Sequence, residues 1–312
     1  MLGRFGRDAG SLLGVEITPP FIRLVQLQRR RGRCRVQAWA LEPLPAAAMH
    51  NGWIGDPEQV AAALLKALGR MERPARRVAV ALPGALVIEK LISMPASLDE
   101  QAIAEQIPSE AAQFIPFSLE EVALDFQVVG LDPGDPGRRQ MVVAACHLAL
   151  LEVLEVALDA TGLHACLVEA DHHALHRALP VTDAQRRLLL QLESDALVIH
   201  EQDAGPMPLR RELSLGGQGR DAQVLVRAVD RYLLSVPGRE LPGQLLLLGD
   251  AALERHMPGQ LQQRLGMPVH QADPFRVMDL APGLDPQALA AQAPCLAVAC
   301  GLALREGDRC LV

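Results

Sequence analysis

The sequence predicts an α/β protein built as two similar lobes, and three observations carry that prediction. Strand-like and helix-like segments alternate along most of its 312 residues. Each half opens with a pair of strand-like runs ahead of its first helix. Pro180 falls at the seam between the halves, which places the first lobe at residues 1–180 and the second at 181–312. A hydrophobic content of 50% supplies the core that two lobes need.

In the first half, residues 11–17, 21–27 and 35–39 read as three successive strands, with Arg31-Gly32-Arg33 as a hairpin tip. Arg23, Arg29, Arg30, Arg31, Arg33 and Arg35 crowd this stretch and read as its solvated turn. A helix follows with clear punctuation: Asp56 as N-cap, Pro57 at the first position, Gln59 three residues past the cap, and Gly69 at its end. Its Val60, Leu64, Ala67 and Leu68 share a face. Residues 77–82 form a buried strand stopped by Pro83-Gly84.

Residues 86–146 form a small unit of their own. A strand over 86–94 leads to a helix capped by Ser97 and Glu100, with Ile103, Ile107, Ala111 and Phe114 on one face. Pro108 inside it should kink or split it. Val122, Leu124, Phe126 and Val128 alternate as a half-buried strand. The loop Asp132 to Gly137 turns the chain back into a strand over 141–146. A helix over 148–160, a strand over 164–169 and a helix from Asp171, read as its N-cap, close the half.

The second half repeats the opening with strands over 187–191 and 196–200. Gly216-Gly217-Gln218-Gly219 reads as a turn ahead of a helix through Val224, Val229, Leu233 and Leu234. A buried strand over 244–248 ends at Gly249-Asp250, and a last helix covers 294–304.

Charge and composition exclude several functions. A net charge of −7 argues against a nucleic-acid binder. The basic amino terminus lacks the apolar run of a signal peptide, and the longest apolar stretch, 141–158, is broken by His147, Glu152 and Glu155, so no bilayer span is expected. The six cysteines, Cys34, Cys146, Cys166, Cys295, Cys300 and Cys310, form no C-x-x-C pair and read as reduced thiols of a cytoplasmic protein.

Catalytic signatures are also missing from the sequence. There is no G-x-S-x-G, and the two lysines, Lys66 and Lys90, do not follow a glycine-rich loop. The densest chemical group is His164, Cys166, Glu169, Asp171, His172, His173 and His176. His172 and His176 have ligand spacing along a helix, but no glutamate lies between them, and the group reads as a polar helix face with no metal.

Three stretches resemble the PilM family of bacterial type IV pilus assembly, actin-like relatives of FtsA. They are Leu12-Leu13-Gly14-Val15-Glu16-Ile17 with Ile22 to Leu27; Glu110 to Phe117 with Glu120 to Val128; and Ala293-Pro294 with Ala299 to Arg305. Asp273-Pro274-Phe275 fits as well. The resemblance implies a two-lobed actin-like fold, ribonuclease H-like and duplicated, with the unit at 86–146 as the family's extra subdomain. It also implies an ATP·Mg²⁺ site gripped by two hairpins, to which Gly14, Glu16, Thr18 and Gly249 correspond.

That site departs from the family pattern four times. Thr18-Pro19-Pro20 removes two amide donors from the first hairpin, and Gln191-Leu192-Glu193-Ser194-Asp195 lacks the second hairpin's glycine. Asp250 follows a single remaining glycine, Gly249. From Gly217 to Gly249 is 32 residues (249 − 217), so the second lobe's small subdomain is expected to be largely missing. The expectation is therefore no catalytic residue, ATP·Mg²⁺ binding that is weak or absent, and negligible hydrolysis.

The resemblance further implies a cytoplasmic scaffold, peripheral at the inner membrane, that docks the amino-terminal peptide of a PilN-like inner-membrane protein. Ile115, Pro116, Phe117 and Phe126 are the expected peptide anchors. A pilus assembly ATPase or regulator and a second copy of the chain are further expected partners. The alternatives are a nucleotide-switching ATPase of the pilus machine and a GspL-like component of type II secretion.

Overall fold

The computed structural model describes residues 12–30, 32–180, 186–193, 196–201, 207, 209–218, 221–236, 241–254 and 256–305. The amino terminus through Ser11, Arg31, Ser194, Asp195, Gly219 and Cys310 lie outside the described residues.

The chain opens with a meander, β1 (Leu13–Thr18), β2 (Phe21–Arg30) and β3 (Arg33–Pro43). A two-stranded ribbon, β4 (Met49–His50) and β5 (Trp53–Ile54), leads to α1 (Pro57–Leu68) and β6 (Arg77–Leu82). Asp56 Oδ1 accepts the Gln59 amide at 3.0 Å, as its cap position requires. Next come β7 (Ile88–Pro95), α2 (Glu100–Ala111), β8 (Val122–Asp132) and β9 (Asp135–His147). Then α3 (Leu148–Asp159), β10 (His164–Ala170) and α4 (Asp171–Ala178) complete the first half.

The second half runs β11 (Arg187–Leu192), β12 (Ala196–Glu201), β13 (Leu209–Ser214), α5 (Ala222–Leu234) and β14 (Gln244–Leu248). It continues through α6 (Met257–Leu265), β15 (Val269–Gln271), β16 (Asp279–Leu280), α7 (Pro286–Gln292) and α8 (Ala297–Ala303).

The two large sheets repeat one topology. The first is ordered β10-β6-β1-β2-β3-β16 and the second β13-β12-β11-β14-β15. In both, an antiparallel meander (β1-β2-β3; β11-β12-β13) is extended by two parallel strands on the side of its first strand. β16 comes from the second half and pairs in parallel with β3, Asp279 opposite Arg35, so the chain returns to the first sheet before it ends. Between β13 and β14 the described chain contains the single helix α5.

The unit inserted between β6 and α3 is a three-stranded sheet, β7-β9-β8, with α2 against one face. Ile103 and Ile107 of α2 meet Met94, Met141 and Val143 there. Three sequence expectations shift in this region and beyond it. The N-cap of α2 is Asp99, whose carboxylate accepts the Ala102 amide at 2.8 Å, in place of Ser97. The helix runs unbroken through Pro108. Asp171 is the first helical residue of α4, with Ala170 as its cap, because its carboxylate is drawn to the Gly84 amide instead.

The expected last helix over 294–304 is a 3₁₀ turn, Ala293–Cys295, followed by α8. α8 is buried along its whole length between α4 and strands β1, β2 and β6. Two glycines permit this. A Cβ on Gly301 would overlap the Ala174 carbonyl of α4, and one on Gly14 would overlap the Ala299 carbonyl of α8. Among the described residues no single helix is long and apolar enough to cross a membrane.

Candidate functional site: a closed cleft and an open groove

The cleft between the lobes is bordered by both hairpins. Glu16, Thr18 and Pro19 come from the first, Gln191, Leu192 and Glu193 from the second, with Gly249, Asp250 and the 3₁₀ turn at Pro294-Cys295 closing the far side. Arg23 fills it. The β1–β2 register sets Arg23 directly opposite Glu16, and its guanidinium crosses to the second lobe. Both Nη2 contacts with the Asp250 carboxylate are 2.8 Å. Nη1 lies 3.5 Å from Glu16 Oε1 and donates to the carbonyls of Thr18 at 3.0 Å and Phe21 at 3.3 Å.

Arg23 was expected on the solvated turn with its neighbours. It is 3% exposed, because strand alternation carries it to the inner face while Gly32, at the centre of the expected tip, lies nine residues further on (32 − 23). Burial works against its charge, but Glu16 and Asp250 outweigh that cost and raise its pKa. Burial also pushes Glu16 up to about 7, with Arg23 opposing and Asp250 adding to the rise. Glu193 is raised to about 7 by burial and by Asp171 and Glu212 nearby.

The volume left in the cleft is about 30 Å³, room for a water or two, against the several hundred Å³ of ordinary small-molecule pockets. Arg23 engages Glu16 and Asp250, the carboxylates that could face a Mg²⁺ ion, and its side chain takes the space a triphosphate would occupy. The residues present do not fit that group. Gly249 (φ +87°) is required by packing, since a Cβ would overlap the Leu192 backbone. Gly14 likewise faces α8 and is absent from the cleft lining.

A second feature lies between the inserted unit and the first lobe. There β8, at the edge of the three-stranded sheet, and β10, at the edge of the six-stranded sheet, border a groove of about 640 Å³. Asp125 opposite Ala144 and Gln127 opposite Val142 line its β8–β9 side, and Leu167 with Val168 lines its β10 side. Besides Asp125 and Gln127, its polar groups include Glu89, Glu169, His173, Arg177 and Arg305. Glu169 is held by Arg177 at 2.7 and 2.8 Å and by Arg305 at 2.8 Å.

The expected peptide anchors are dispersed by the fold. Ile115 is buried with Ala111, Val122 and Ala145 in the inserted unit. Phe126 packs toward α2 and also borders the groove. Pro116 is exposed, and Phe117 is exposed with its ring 4.1 Å from that of His147, outside the groove lining. The groove-facing residues Asp125 and Gln127 carried no apolar signal. They were readable as the polar phase of the alternation around Phe126, which faces the opposite side.

The histidine-rich segment is not a solvated helix face. His172 is buried, and its Nε2 lies 2.7 Å from Glu89 Oε2, while His173 Nε2 lies 2.6 Å from Glu89 Oε1. Burial raises the Glu89 pKa, but hydrogen bonds from both imidazoles outweigh it and hold the group at about 2. Burial likewise opposes the His172 charge, and the Asp171 carboxylate 3.6 Å away together with the Glu89 hydrogen bond carries it up to about 9.

Two lobes of one strand order, closing on a cleft bordered by a hairpin from each, define an actin-like α/β protein with an inserted subdomain. The chain belongs to the family described as type IV pilus assembly protein PilM, whose profile matches residues 14–199 and 218–307.

Among solved structures, it is similar to a chain of a PilM–PilN type IV pilus biogenesis complex, with a TM-score of 0.79 and 23% identity over 96% of this chain and 99% of that one. The ethanolamine utilization protein EutJ from Carboxydothermus hydrogenoformans gives a TM-score of 0.51 at 12% identity, over 97% of this chain and 92% of that one. The cytoplasmic domain of EpsL, an inner-membrane component of the type II secretion system of Vibrio cholerae, gives 0.46 at 16% identity, over 91% and 94%.

Proposed function

We propose that this chain is a non-hydrolysing adaptor of type IV pilus biogenesis that holds the cytoplasmic amino-terminal peptide of a PilN-like inner-membrane protein. The observation that carries this reading is the open groove between β8 and β10. An extended peptide has two sheet edges there with which to pair, and apolar floor on which to set alternate side chains. Family membership supports the pilus role, and the relative solved as a PilM–PilN complex supports the choice of peptide. Docking through such a peptide brings the chain to the inner membrane.

The Arg23 plug supports the non-hydrolysing half of the reading. Its guanidinium ties the two lobes together through Asp250, in the space where a nucleotide's phosphates would otherwise join them. Two measurements test the proposal. A labelled peptide from the amino terminus of the PilN-like protein should bind by fluorescence anisotropy, and Ala144→Glu, which sets a charge on the groove face, should weaken it at least tenfold. Calorimetric titration with ATP and Mg²⁺ should give neither micromolar binding nor turnover. Absence of peptide binding removes the adaptor reading; micromolar ATP binding with turnover replaces it with a nucleotide-switching one.

A further inference from the structure

Glu89 and His173 border the groove, and His172 lies beside them; among the described residues these three form a group of side chains close enough to share a metal ion. Glu89 is on β7 of the inserted unit, while the histidines occupy the first turn of α4 in the first lobe. One carboxylate oxygen faces each imidazole Nε2, at 2.7 and 2.6 Å, and the ring centroids are 4.4 Å apart. The ligand-capable atoms of all three residues lie within 4.8 Å of one another.

We propose that Glu89, His172 and His173 are the ligands of a divalent transition-metal site of the zinc class, opening on the groove. Two imidazoles and one carboxylate form a donor set that zinc accepts with a fourth position left for water. Glu89 and His173 both border the groove, so that fourth position faces solvent. Zinc bonds of about 2.0 Å in a tetrahedron hold ligand atoms roughly 3.3 Å apart. Binding therefore requires the Glu89 carboxylate to draw back from both rings, which it meets at 2.7 and 2.6 Å through different oxygens, and the ligand atoms, all within 4.8 Å of one another, to converge on one point.

The surroundings supply an outer layer of the kind metal-bound histidines use. His172 Nδ1 is buried without a hydrogen bond, and the Asp171 carboxylate lies 3.6 Å from it. When Nε2 binds a cation, Nδ1 carries the proton and donates to such a carboxylate, which fixes the ring and strengthens the ligand. Asp171 is itself anchored by the Gly84 amide at 3.0 Å. A Cβ on Gly84 would press on both His172 Nδ1 and Asp171 Oδ1, so glycine leaves this arrangement its room. Asp171, at the first helical position, also offsets the positive end of the α4 dipole that would oppose a cation. Bound metal would staple β7 to α4 and so fix the walls of the groove relative to each other.

The test uses the full chain stripped with a chelator and titrated calorimetrically with zinc chloride. One zinc per chain is expected, with His173→Ala and Glu89→Gln each weakening binding at least tenfold. Glu89→Gln keeps the size and a hydrogen-bonding oxygen, and circular dichroism checks that it folds. His270→Ala, on an exposed residue away from the cluster, should leave binding unchanged. Cobalt in place of zinc should give the visible bands of a tetrahedral site, lost in Glu89→Gln. No saturable binding, or binding unaltered in both variants, overturns the proposal and leaves the cluster a hydrogen-bonded tie between β7 and α4. Peptide binding by the stripped chain is scored separately, so failure here does not bear on the docking reading.

Discussion

Arg23 shows how much of the chemistry of this protein turns on one side chain. The guanidinium neutralises Asp250 from the second lobe and Glu16 from the first, and it satisfies two backbone carbonyls beside them. Removing one member of a buried charge network costs more than removing all of it, because the remaining charges lose their compensation. Arg23→Ala should therefore destabilise the fold by about 3–5 kcal/mol, read by urea unfolding. Arg23→Met combined with Glu16→Gln and Asp250→Asn should recover most of that loss. The Glu16–Arg23 pair was legible in outline, since a tight turn at Pro19-Pro20 sets residue 16 opposite residue 23. Its third member was not, because Asp250 is 227 positions away in the chain.

At the scale of elements, α8 is the piece on which the rest is assembled. It packs against α4 on one side and the first sheet on the other, at a distance only glycine allows. Gly301→Ala should destabilise the protein by about 3 kcal/mol or more, because the new methyl meets fixed backbone and no side chain can yield. Thermal unfolding would show it, and an unchanged midpoint would mean that α8 is not packed as described. The glycines were visible in sequence, but the reason for them was not. Gly14 was assigned to phosphate approach, whereas its neighbour is a helix nearly 300 residues on. Local signals succeeded where both partners were local: the Asp56 cap fell where Pro57 and Gln59 indicated. They failed at Ser97, where Asp99 has the same three-residue reach and took the cap.

At the scale of the whole molecule, the lobes meet through buried histidines as well as through Arg23. His200 on β12 is fully buried, donates from Nε2 to Gln191 Oε1 at 3.0 Å, and has its ring 6.2 Å from that of His176 on α4. Burial lowers His200 to about 3, against the pull of Asp171 and with a push from His176 and Arg210. Burial and the neighbouring His172 and His173 lower His176 to about 4. A depressed histidine binds fewer protons folded than unfolded, so its stability is present above the unfolded pKa of about 6.5 and is lost as pH falls toward 4 and 3. The two histidines should together withdraw more than about 1 kcal/mol of stability between neutral pH and pH 5, while Glu16 and Glu193, raised to about 7, contribute in the opposite sense over the same range, so the histidine limb is read as the difference between the parent chain and a histidine variant. His200→Gln should flatten that limb in unfolding curves measured across the range, and an unaltered slope would assign acid sensitivity elsewhere.

The duplicated α/β plan was determined by the sequence itself. Alternating apolar periods, proline and glycine stops and the two opening hairpins are properties of neighbouring residues, and they fixed most strands and helices without knowledge of the fold. What tertiary structure alone decided was which distant residues share a space. It returned β16 to the edge of the first sheet, closed the cleft around Arg23, turned Phe126 to the core side of the inserted unit and set Glu89 against two histidines of another lobe element. Each of these depends on packing between segments far apart in the chain, where burial and charge pairing act on side chains whose local sequence looks ordinary.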